Sequence, residues 1–517
     1  MSDHQTSSPT DLPTSVATPA RHAERDRTAT PNGVASANGA APRAAAARPV
    51  VVDFDAERQL RDRVSTRLTA EGVTSFEAMD PATQRERKRT VAMEELQSWA
   101  AHRQHVGLPA LSLADEDALV DAVLASLGGL GRLEPLLLRP DVEDIFFHGT
   151  APTMLRLADG RKVADAPLAR SNEELRRLLQ QLGTTLGDGT SREFSDARPL
   201  LALRLKAVGD LGGRLSAAMD VTPNPAGTIR IHRHAEADLD KVYELGMIDA
   251  PLRAFLRASV LAGLKVAIVG AMGHGKTFLL RAMCSEIPLD KAIITVEDER
   301  ELGLHVLPAR DERGRVMRRG DGTAVPRRPE ALVKPYEARP ANSEGSGAVT
   351  VSDLLYHALR DSADVLILGE SRAGEIVHFL DAATNGTSGV MGTWHANSAG
   401  EVFDRIVQMV LKAQPPLPTE WALRAATALD LVVFVHRNRR HERFVSEVLE
   451  VHSGRLGERG LPVVSHLFSP RHDGRAVPTG HRPTDQVMAK LDEVGFSPEW
   501  LQAYLSDWDH PGEAARE

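Results

Sequence analysis

The sequence has little of several things that mark other classes of protein. Cys284 is its only cysteine, so no disulfide can form within the chain, and a cytoplasmic location is expected. It contains no run of about 18 uncharged apolar residues, so we expect no membrane span. The polar N-terminus predicts no signal peptide. Any contact with a membrane is therefore expected to be peripheral, through partners or through the protein surface.

The chain also lacks an excess of basic residues and has few aromatic ones. Its 62 lysines and arginines are outnumbered by 71 acidic residues, which gives a net charge of −9, and aromatic residues make up 4%. Proteins that bind nucleic acid usually carry a basic surface, and channels for single strands add stacking aromatic side chains. The composition therefore argues against nucleic acid as a partner, and leaves only a local basic groove open.

What the sequence does contain is a glycine-rich turn between a buried strand and a helix. Four apolar residues, Val266 to Val269, precede the run G-A-M-G-H-G-K-T, and a helical run, Phe278 to Cys284, follows it. This spacing is that of a phosphate-binding loop. Glycines let successive backbone N–H groups turn inward onto phosphate oxygens, and the helix N-terminus adds partial positive charge. The sequence therefore predicts a nucleotide site.

Within this loop, Lys276 is expected to reach the β- and γ-phosphates, and the Thr277 hydroxyl is expected to bind Mg²⁺. The full set of predicted nucleotide-binding residues is Gly270, Gly273, His274, Gly275, Lys276, Thr277 and Phe278. A phosphate-binding loop alone indicates only that a nucleoside triphosphate binds.

Polar residues follow the apolar strands that come later in the chain. Strands are predicted at Ala292–Val296, Val365–Leu368, Gly389–Trp394 and Leu431–Val435, and their alternation with helices indicates a mostly parallel sheet. Glu297, Glu370 and His395 lie just past three of these strands, where ligands bind in open α/β sheets. Glu370 could support Mg²⁺ or act on the attacking water, and Glu297 is a second candidate. The sequence does not decide between these roles. Taken alone, a histidine after a strand, such as His395, more often has a structural role than a functional one.

At 517 residues the chain is long enough for two or three domains. Residues 1–49 are rich in Ala, Pro, Ser and Thr and predict a disordered tail, or a docking peptide that folds on a partner. We then expect a helical lead-in over 50–130, an α+β domain over 131–235, the nucleotide domain over 236–455 and a C-terminal extension over 456–517. The arginine-rich stretch 306–349 predicts a mobile surface loop; the alternative is an arm that grips a neighbouring subunit or an acidic partner.

Four motifs taken together resemble one family. They are G-A-M-G-H-G-K-T at Gly270–Thr277, V-E-D-E-R-E-L at Val296–Leu302, L-R-D-S-A-D-V-L-I-L-G-E-S-R at Leu359–Arg372 and T-W-H-A-N-S at Thr393–Ser398. Their order and spacing resemble the secretion-superfamily ATPases of type II and type IV systems, closest to the CpaF/TadA branch that powers Tad-type pili. In that family the motifs are the Walker A loop, the Asp box, the Walker B motif and the His box. The resemblance covers roughly residues 133–451.

The resemblance implies a homohexameric ring whose subunits bind ATP and Mg²⁺ between an α+β N-terminal domain and a RecA-like P-loop domain, an α/β fold. Thr277 and Glu370 would support the metal. Arginines of the N-terminal domain would stabilise charge on the γ-phosphate. The residues that would carry catalysis are Glu370, Glu297, His395, Arg214 and Arg230.

The leading hypothesis is an ATPase motor at the inner face of the cell membrane, which docks on an inner-membrane platform protein and powers pilus assembly or protein secretion. The alternative is a nucleic-acid translocase with a RecA-like core. A third possibility is a regulatory nucleotide-binding protein without turnover, which the two strand-end glutamates and His395 disfavour. Which machine is served stays open.

Overall fold

The structure is a computed structural model that describes most of the chain beyond residue 53. The described residues are 54–70, 81–127, 131–185, 194–205, 212–232, 237–311, 313–320, 322–339, 341 and 346–508. The tail predicted for residues 1–49 lies outside them, as do Gly128 and Gly129, where we expect the helical lead-in to end. No helix within these ranges is long and apolar enough to cross a membrane.

Three helices at the start of the described chain pack on one another. They are α1 (Phe54–Ala70), α2 (Pro81–His105) and α3 (Leu113–Leu127). Leu60 and Val64, four residues apart on one face of α1, are fully buried against Val91 of α2 and Val123 of α3, as the helical period requires. The sequence also predicts an apolar stripe of Met93 and Leu96 on α2. Leu96 is buried, but Met93 is 45% exposed.

An antiparallel sheet of six strands follows, in the spatial order β3-β2-β1-β6-β5-β4. Its strands are β1 (Val142–His148), β2 (Thr153–Leu157), β3 (Lys162–Asp165), β4 (Leu200–Leu205), β5 (Gly213–Ala218) and β6 (Ala226–Ile231). Helices α4 (Leu133–Leu138) and α5 (Asn172–Thr185) cover one face. Leu175, Leu179 and Leu182 of α5 are buried there, because the helical period places them on one face of the helix. The opposite face carries charged side chains.

The second sheet has nine strands, in the order β15-β14-β13-β12-β7-β11-β10-β8-β9. They are β7 (Val266–Val269), β8 (Ile293–Glu297), β9 (Val333–Glu337), β10 (Val365–Ser371), β11 (Val390–Trp394), β12 (Leu431–Arg437), β13 (Arg443–Leu456), β14 (Pro462–Pro470) and β15 (Ala476–Pro478). In this spatial order the strands from β12 through β7, β11, β10 and β8 to β9 are parallel. Strands β13, β14 and β15 pair antiparallel and extend the sheet beyond β12. The predicted parallel sheet is confirmed.

Helices lie on both faces of this sheet. They are α6 (Leu239–Glu244), α7 (Ala250–Leu261), α8 (Lys276–Cys284), α9 (Val351–Ala358), α10 (Ile376–Thr384), α11 (Val402–Val410), α12 (Thr419–Ala426) and α13 (Asp485–Glu493). Val266 and Ile268 of β7 face the core beneath α7 and α8, whereas Ala267 and Val269 face the core beneath α10 and α11. Burial on both sides explains why these strands are continuously apolar.

The structure differs from the sequence-based expectation at two places in this domain. Strand β9 lies inside the stretch 306–349, so the expectation of an irregular loop is wrong there. Its sequence, V-K-P-Y-E, contains Pro335, and a proline is compatible with a strand at the edge of a sheet, which is where β9 lies. The boundary expected at residue 455 falls inside β13, and β14 and β15 continue the same sheet. The C-terminal boundary of this domain is therefore set by strand pairing and not by a change in composition.

The rest of the arginine-rich stretch is anchored at its C-terminal side. Arg327 donates to the carbonyl of Ser285 at 3.3 Å, and Arg328, which is 7% exposed, donates to the carbonyl of Pro288 at 2.6 Å. Both carbonyls lie in the segment that follows α8. These two arginines therefore have a structural role.

Candidate nucleotide site

The glycine loop connects β7 to α8 with a backbone that requires glycine. Gly270, Gly273 and Gly275 have φ angles of 156°, 74° and 97°. A Cβ atom on Gly270 would lie 2.4 Å from the carbonyl oxygen of Val435 on β12, which is closer than such atoms approach. The loop is therefore packed directly against the end of a neighbouring strand.

Side chains from β12 and β13 hold the loop in place. The Nδ1 atom of His274 lies 3.1 Å from the carbonyl oxygen of Val435. Arg443 donates from Nε to the carbonyl of Gly273 at 3.2 Å. His274 is thus turned towards β12, and Phe278, on the first turn of α8, packs against the core of the domain. Both predicted residues lie at the loop, with side chains that support its shape.

Lys276 is the buried cation of the site. It is 7% exposed, and its Nζ atom lies 3.2 Å from the carbonyl oxygen of Ala271 and 3.0 Å from Nδ1 of His395. Burial is the main cause that lowers the pKa of Lys276 to about 8, although the nearby Glu370 carboxylate opposes the shift. A desolvated ammonium at the N-terminus of a helix is well placed to bind a phosphate.

Glu370 is joined to two other side chains. Its Oε1 atom lies 3.0 Å from Nε2 of His395, and Arg372 donates to both carboxylate oxygens at 3.1 Å. Arg372 also contacts Asp298 at 3.2 Å. Burial alone would raise the pKa of Glu370, but the hydrogen bonds from His395 and Arg372 outweigh it and lower that pKa to about 2. The carboxylate is therefore ionised at neutral pH.

Arg372 and Asp298 were not among the predicted site residues. The signal for Arg372 is present in the sequence, because it follows Glu370 by two residues at the end of β10, and side chains two apart in an extended chain point to the same face. Asp298 follows β8 directly. Both lie at the carboxyl edge of the sheet, where Glu297, Glu370 and His395 are also found, as the parallel arrangement requires.

Glu297 makes contacts that stabilise the following turn. It is 3% exposed, and its Oε2 atom accepts hydrogen bonds from the backbone N–H groups of Glu301 and Leu302 at 2.7 and 2.9 Å. Burial raises the pKa of Glu297 to about 7, against the effect of these hydrogen bonds. Gly369 leaves room for this side chain, since a Cβ there would lie 2.8 Å from the Cγ of Glu297.

A small cavity of about 30 Å³ lies beside Thr277. That volume suffices for a water molecule or a small ion. Among the described residues no three His, Cys, Asp or Glu side chains converge into a metal cage, and Mg²⁺ at phosphate sites takes most of its ligands from phosphates and water. The hydroxyl of Thr277 and nearby carboxylates therefore fit such an ion. The lining residues are Arg214, Thr277, Glu297, Asp298, Glu299, Glu301, Gly369, Glu370 and Arg372.

The structure brings Arg214 to this cavity but pairs Arg230 elsewhere. Arg214 donates from Nε to Oε1 of Glu299 at 3.1 Å. Arg230 lies directly across from Arg214 in the β5–β6 register, on the same face of the six-stranded sheet, yet its Nε atom contacts Asp144 at 2.9 Å. Glu299, which the sequence did not single out, has its pKa raised to about 7 mainly by burial.

A desolvated lysine, a glycine loop at the N-terminus of α8 and an ionised carboxylate meet here at the carboxyl edge of a parallel sheet, an arrangement that suits a nucleoside triphosphate and its metal. Fold and site together define a P-loop NTPase of the RecA-like kind. Comparison with known sequences then gives the family: the profile of the type II/IV secretion system protein family matches residues 216–447.

A curated relative extends this match over most of its own length. The chain is 33% identical over 346 residues to a putative conjugal transfer protein of Mycobacterium tuberculosis, which covers 65% of this chain and 89% of the relative. The chain therefore belongs to the type II/IV secretion system protein family, and it is an ATPase. It is also 35% identical over 187 residues to the type IV secretion system protein PtlH of Bordetella pertussis, spanning 48% of that protein.

Solved structures that resemble this chain include two ATPases, one of them from a type IV secretion system. The VirB11 ATPase of Brucella suis is 23% identical with a TM-score of 0.30, covering 64% of this chain and 96% of that one. The ATPase DotB of Legionella pneumophila is 16% identical with a TM-score of 0.40, covering 72% and 85%. TM-scores this low carry no argument about the fold, which is defined by the strand order and pairing described above.

Proposed function

We propose that this protein is a hexameric motor that hydrolyses ATP in the cleft between its two sheets and thereby powers a secretion or pilus machine. The observation that carries this proposal is the position of Arg214. Strand β5 of the six-stranded sheet places it beside the cavity that Thr277 and Glu370 of the other domain line. A site built from two domains can couple the state of the nucleotide to their relative position.

Each side chain has a role that its surroundings support. Lys276 neutralises charge on the phosphates. The ionised Glu370 either orients the attacking water or, together with Thr277, supports the metal ion through the water molecules bound to it. His395 holds Glu370, and Arg214 is the candidate to stabilise charge on the γ-phosphate. Arg230, the second arginine predicted for this role, is paired with Asp144 and would have to leave that carboxylate to take part. Mg²⁺, when bound, would neutralise part of that charge. Glu297 either takes part in metal support or water activation, or only stabilises the turn that follows it. Its contacts favour the second role.

The assembly and location follow from the family resemblance. We infer a homohexamer in the cytoplasm, peripheral to the inner face of the cell membrane, which docks on an inner-membrane platform protein. The order of the four motifs supports the branch that drives Tad-type pili. The names of the relatives support export machinery more generally, since one belongs to conjugal transfer and another to a type IV secretion system.

Two variants test this proposal. Lys276→Ala should abolish ATP hydrolysis, because the phosphates lose their buried cation; hydrolysis that survives would show that the site lies elsewhere. Glu370→Gln should bind ATP and hardly turn it over. Native mass measurement of that trapped form should give six copies, and an inner-membrane protein should copurify with it. A trapped form that stays monomeric with ATP would contradict the motor.

Nucleic-acid translocation is the second candidate, and the name of the mycobacterial relative favours it. The net charge of −9 and the 4% of aromatic residues oppose it, because translocation channels need basic and stacking surfaces. The measurement that separates the two is ATP hydrolysis with added single- and double-stranded DNA. Stimulation that falls steeply with salt would favour the translocase.

A further inference from the structure

A row of charged side chains crosses the outer face of the six-stranded sheet. The pairing register places its members side by side on neighbouring strands, and each arginine among them is paired with a carboxylate. Arg230 and Arg156 share Asp144, within the sheet itself. The remaining two arginines reach across to the nucleotide domain. The row consists of Arg204 on β4, Arg214 on β5, Arg230 on β6, Asp144 on β1 and Arg156 on β2.

The two contacts that cross between the domains differ in their surroundings. Arg204 contacts Glu337 at 2.9 Å, and these side chains are 16% and 11% exposed. Arg300 holds Glu337 from the other side at 2.8 Å, so that pair is part of a network. Arg214 and Glu299 form a single pair at 3.1 Å, with side chains 37% and 21% exposed. The second contact is therefore the weaker of the two.

The Arg214–Glu299 pair also differs because it borders the cavity that contains Thr277. A phosphate that approached Arg214 would come close to the Glu299 carboxylate, and two anions at one guanidinium repel each other. The second oxygen of Glu299, Oε2, is buried and has no hydrogen-bond partner among the described residues. The pair is thus poorly satisfied on the acidic side, which favours exchange of Arg214 to a better anion.

We propose that Glu299 is a positioning residue that withholds Arg214 from the cleft until the γ-phosphate of a bound triphosphate takes its place. This inference rests on the proposed function, since it assigns Arg214 to the γ-phosphate. ADP has no phosphate at that position and leaves Arg214 with Glu299. The pair then acts as a discriminator between ATP and ADP, while the Arg204–Glu337–Arg300 network keeps the two domains in contact through the exchange.

The test compares the affinities of ATPγS and ADP for the full chain, measured by calorimetry with Mg²⁺. Glu299→Gln removes the competing charge and keeps the shape of the side chain. We expect ATPγS to bind about two- to fivefold more tightly, the scale of a partly exposed ion pair, and ADP to bind as in the wild type. In the Arg214→Ala background, Glu299→Gln should change neither affinity, because the guanidinium for which Glu299 and the γ-phosphate compete is absent.

Glu337→Gln is the matched control. It also removes a carboxylate that crosses between the domains, but one that does not hold Arg214, so the ratio of the two affinities should stay at its wild-type value. An equal gain in Glu337→Gln, an equal gain for ADP, or an unchanged ratio in Glu299→Gln would overturn the inference. Unchanged ADP affinity also shows that a variant is folded. Wild-type protein that binds neither nucleotide would overturn the proposed function itself.

Discussion

The Nδ1 atom of His395 lies 3.0 Å from the Nζ atom of Lys276, so the residue that follows β11 contacts the residue that begins α8. The same Nδ1 atom lies 3.2 Å from the carbonyl oxygen of Gly270. The ionised carboxylate of Glu370 only accepts, so Nε2 of His395 carries a proton and donates to it at 3.0 Å. One imidazole thus connects the cation that binds phosphate to the carboxylate that is the candidate for orienting water.

The first prediction concerns this connection. Replacing His395 by Ala should lower the rate of ATP hydrolysis by about 100-fold or more, the usual scale when a positioned acid–base group is lost. ATP affinity should change little, because Lys276 keeps its charge and its place in the loop. Steady-state rates and calorimetric binding measure the two effects separately.

His378 is a suitable control for that experiment. It lies on the surface of α10 and contacts Asp381 at 3.9 Å, away from the glycine loop. The His378→Ala variant should hydrolyse ATP at nearly the wild-type rate. Equal rates for wild type and His395→Ala would remove His395 from the mechanism.

The second prediction concerns the pH dependence of nucleotide binding. Burial lowers the pKa of the unliganded Lys276 to about 8, and phosphate requires the charged form. ADP affinity should therefore be flat below about pH 7 and fall by up to about tenfold per unit above pH 8. Calorimetric titrations from about pH 6.5 to about pH 9.5 would measure this slope, with salt held constant.

Lys276→Arg supplies the matched comparison, because a guanidinium stays charged over that whole range. Whatever affinity remains in this variant should lose the alkaline slope. The same slope in both proteins would show that a different group titrates, and would contradict the assignment to Lys276.

The third prediction concerns the buried carboxyl of Glu297. Burial raises its folded-state pKa to about 7, above the ordinary 4.5. A raised pKa means that the folded state holds the proton more tightly, so this contribution to stability is complete below about pH 4.5 and is lost as the pH rises to about 7. Glu297→Gln keeps an acceptor for the two backbone N–H groups and carries no charge.

The stability advantage of Glu297→Gln over the wild type should therefore grow as the pH rises from about 4.5 to about 7, and should reach at most about 3 kcal/mol. Denaturant unfolding at about pH 5 and about pH 8 measures the difference, which should be larger at the higher pH. A wild type that is the more stable protein at pH 8 would show that Glu297 is ionised and paired.

The fourth prediction concerns the loop backbone. Gly270→Ala places a Cβ within 2.4 Å of the Val435 carbonyl, at a φ of 156°. The overlap and the backbone conformation together should lower the free energy of unfolding by about 2 to 4 kcal/mol and weaken nucleotide binding. Gly386 offers the control, since it has a φ of 83° but open space around it, and alanine there should cost about 1 kcal/mol. Equal losses at both positions would contradict the packing argument.

The sequence predicted those parts of the site that depend on residues close together in the chain. The strand–loop–helix from Val266 to Cys284 has a spacing that fixes its structure, and polar residues after parallel strands must meet at one edge. This is why Glu297, Glu370 and His395 were found from sequence and lie together in the structure. Arg372 could have been found by the same reasoning, because it directly follows β10 and lies two residues from Glu370.

The sequence by itself determined that this chain is an α/β protein with a phosphate-binding loop and acidic strand ends, because those features follow from residues close together in the chain. Tertiary structure alone decided that β9 joins the sheet as an edge strand, and that Arg214 rather than Arg230 borders the cleft. Arg214 and Glu299 are 85 residues apart, and only the docking of one sheet on the other brings them within 3.1 Å. Contacts of that kind depend on the packing of whole domains, which no local pattern of residues encodes.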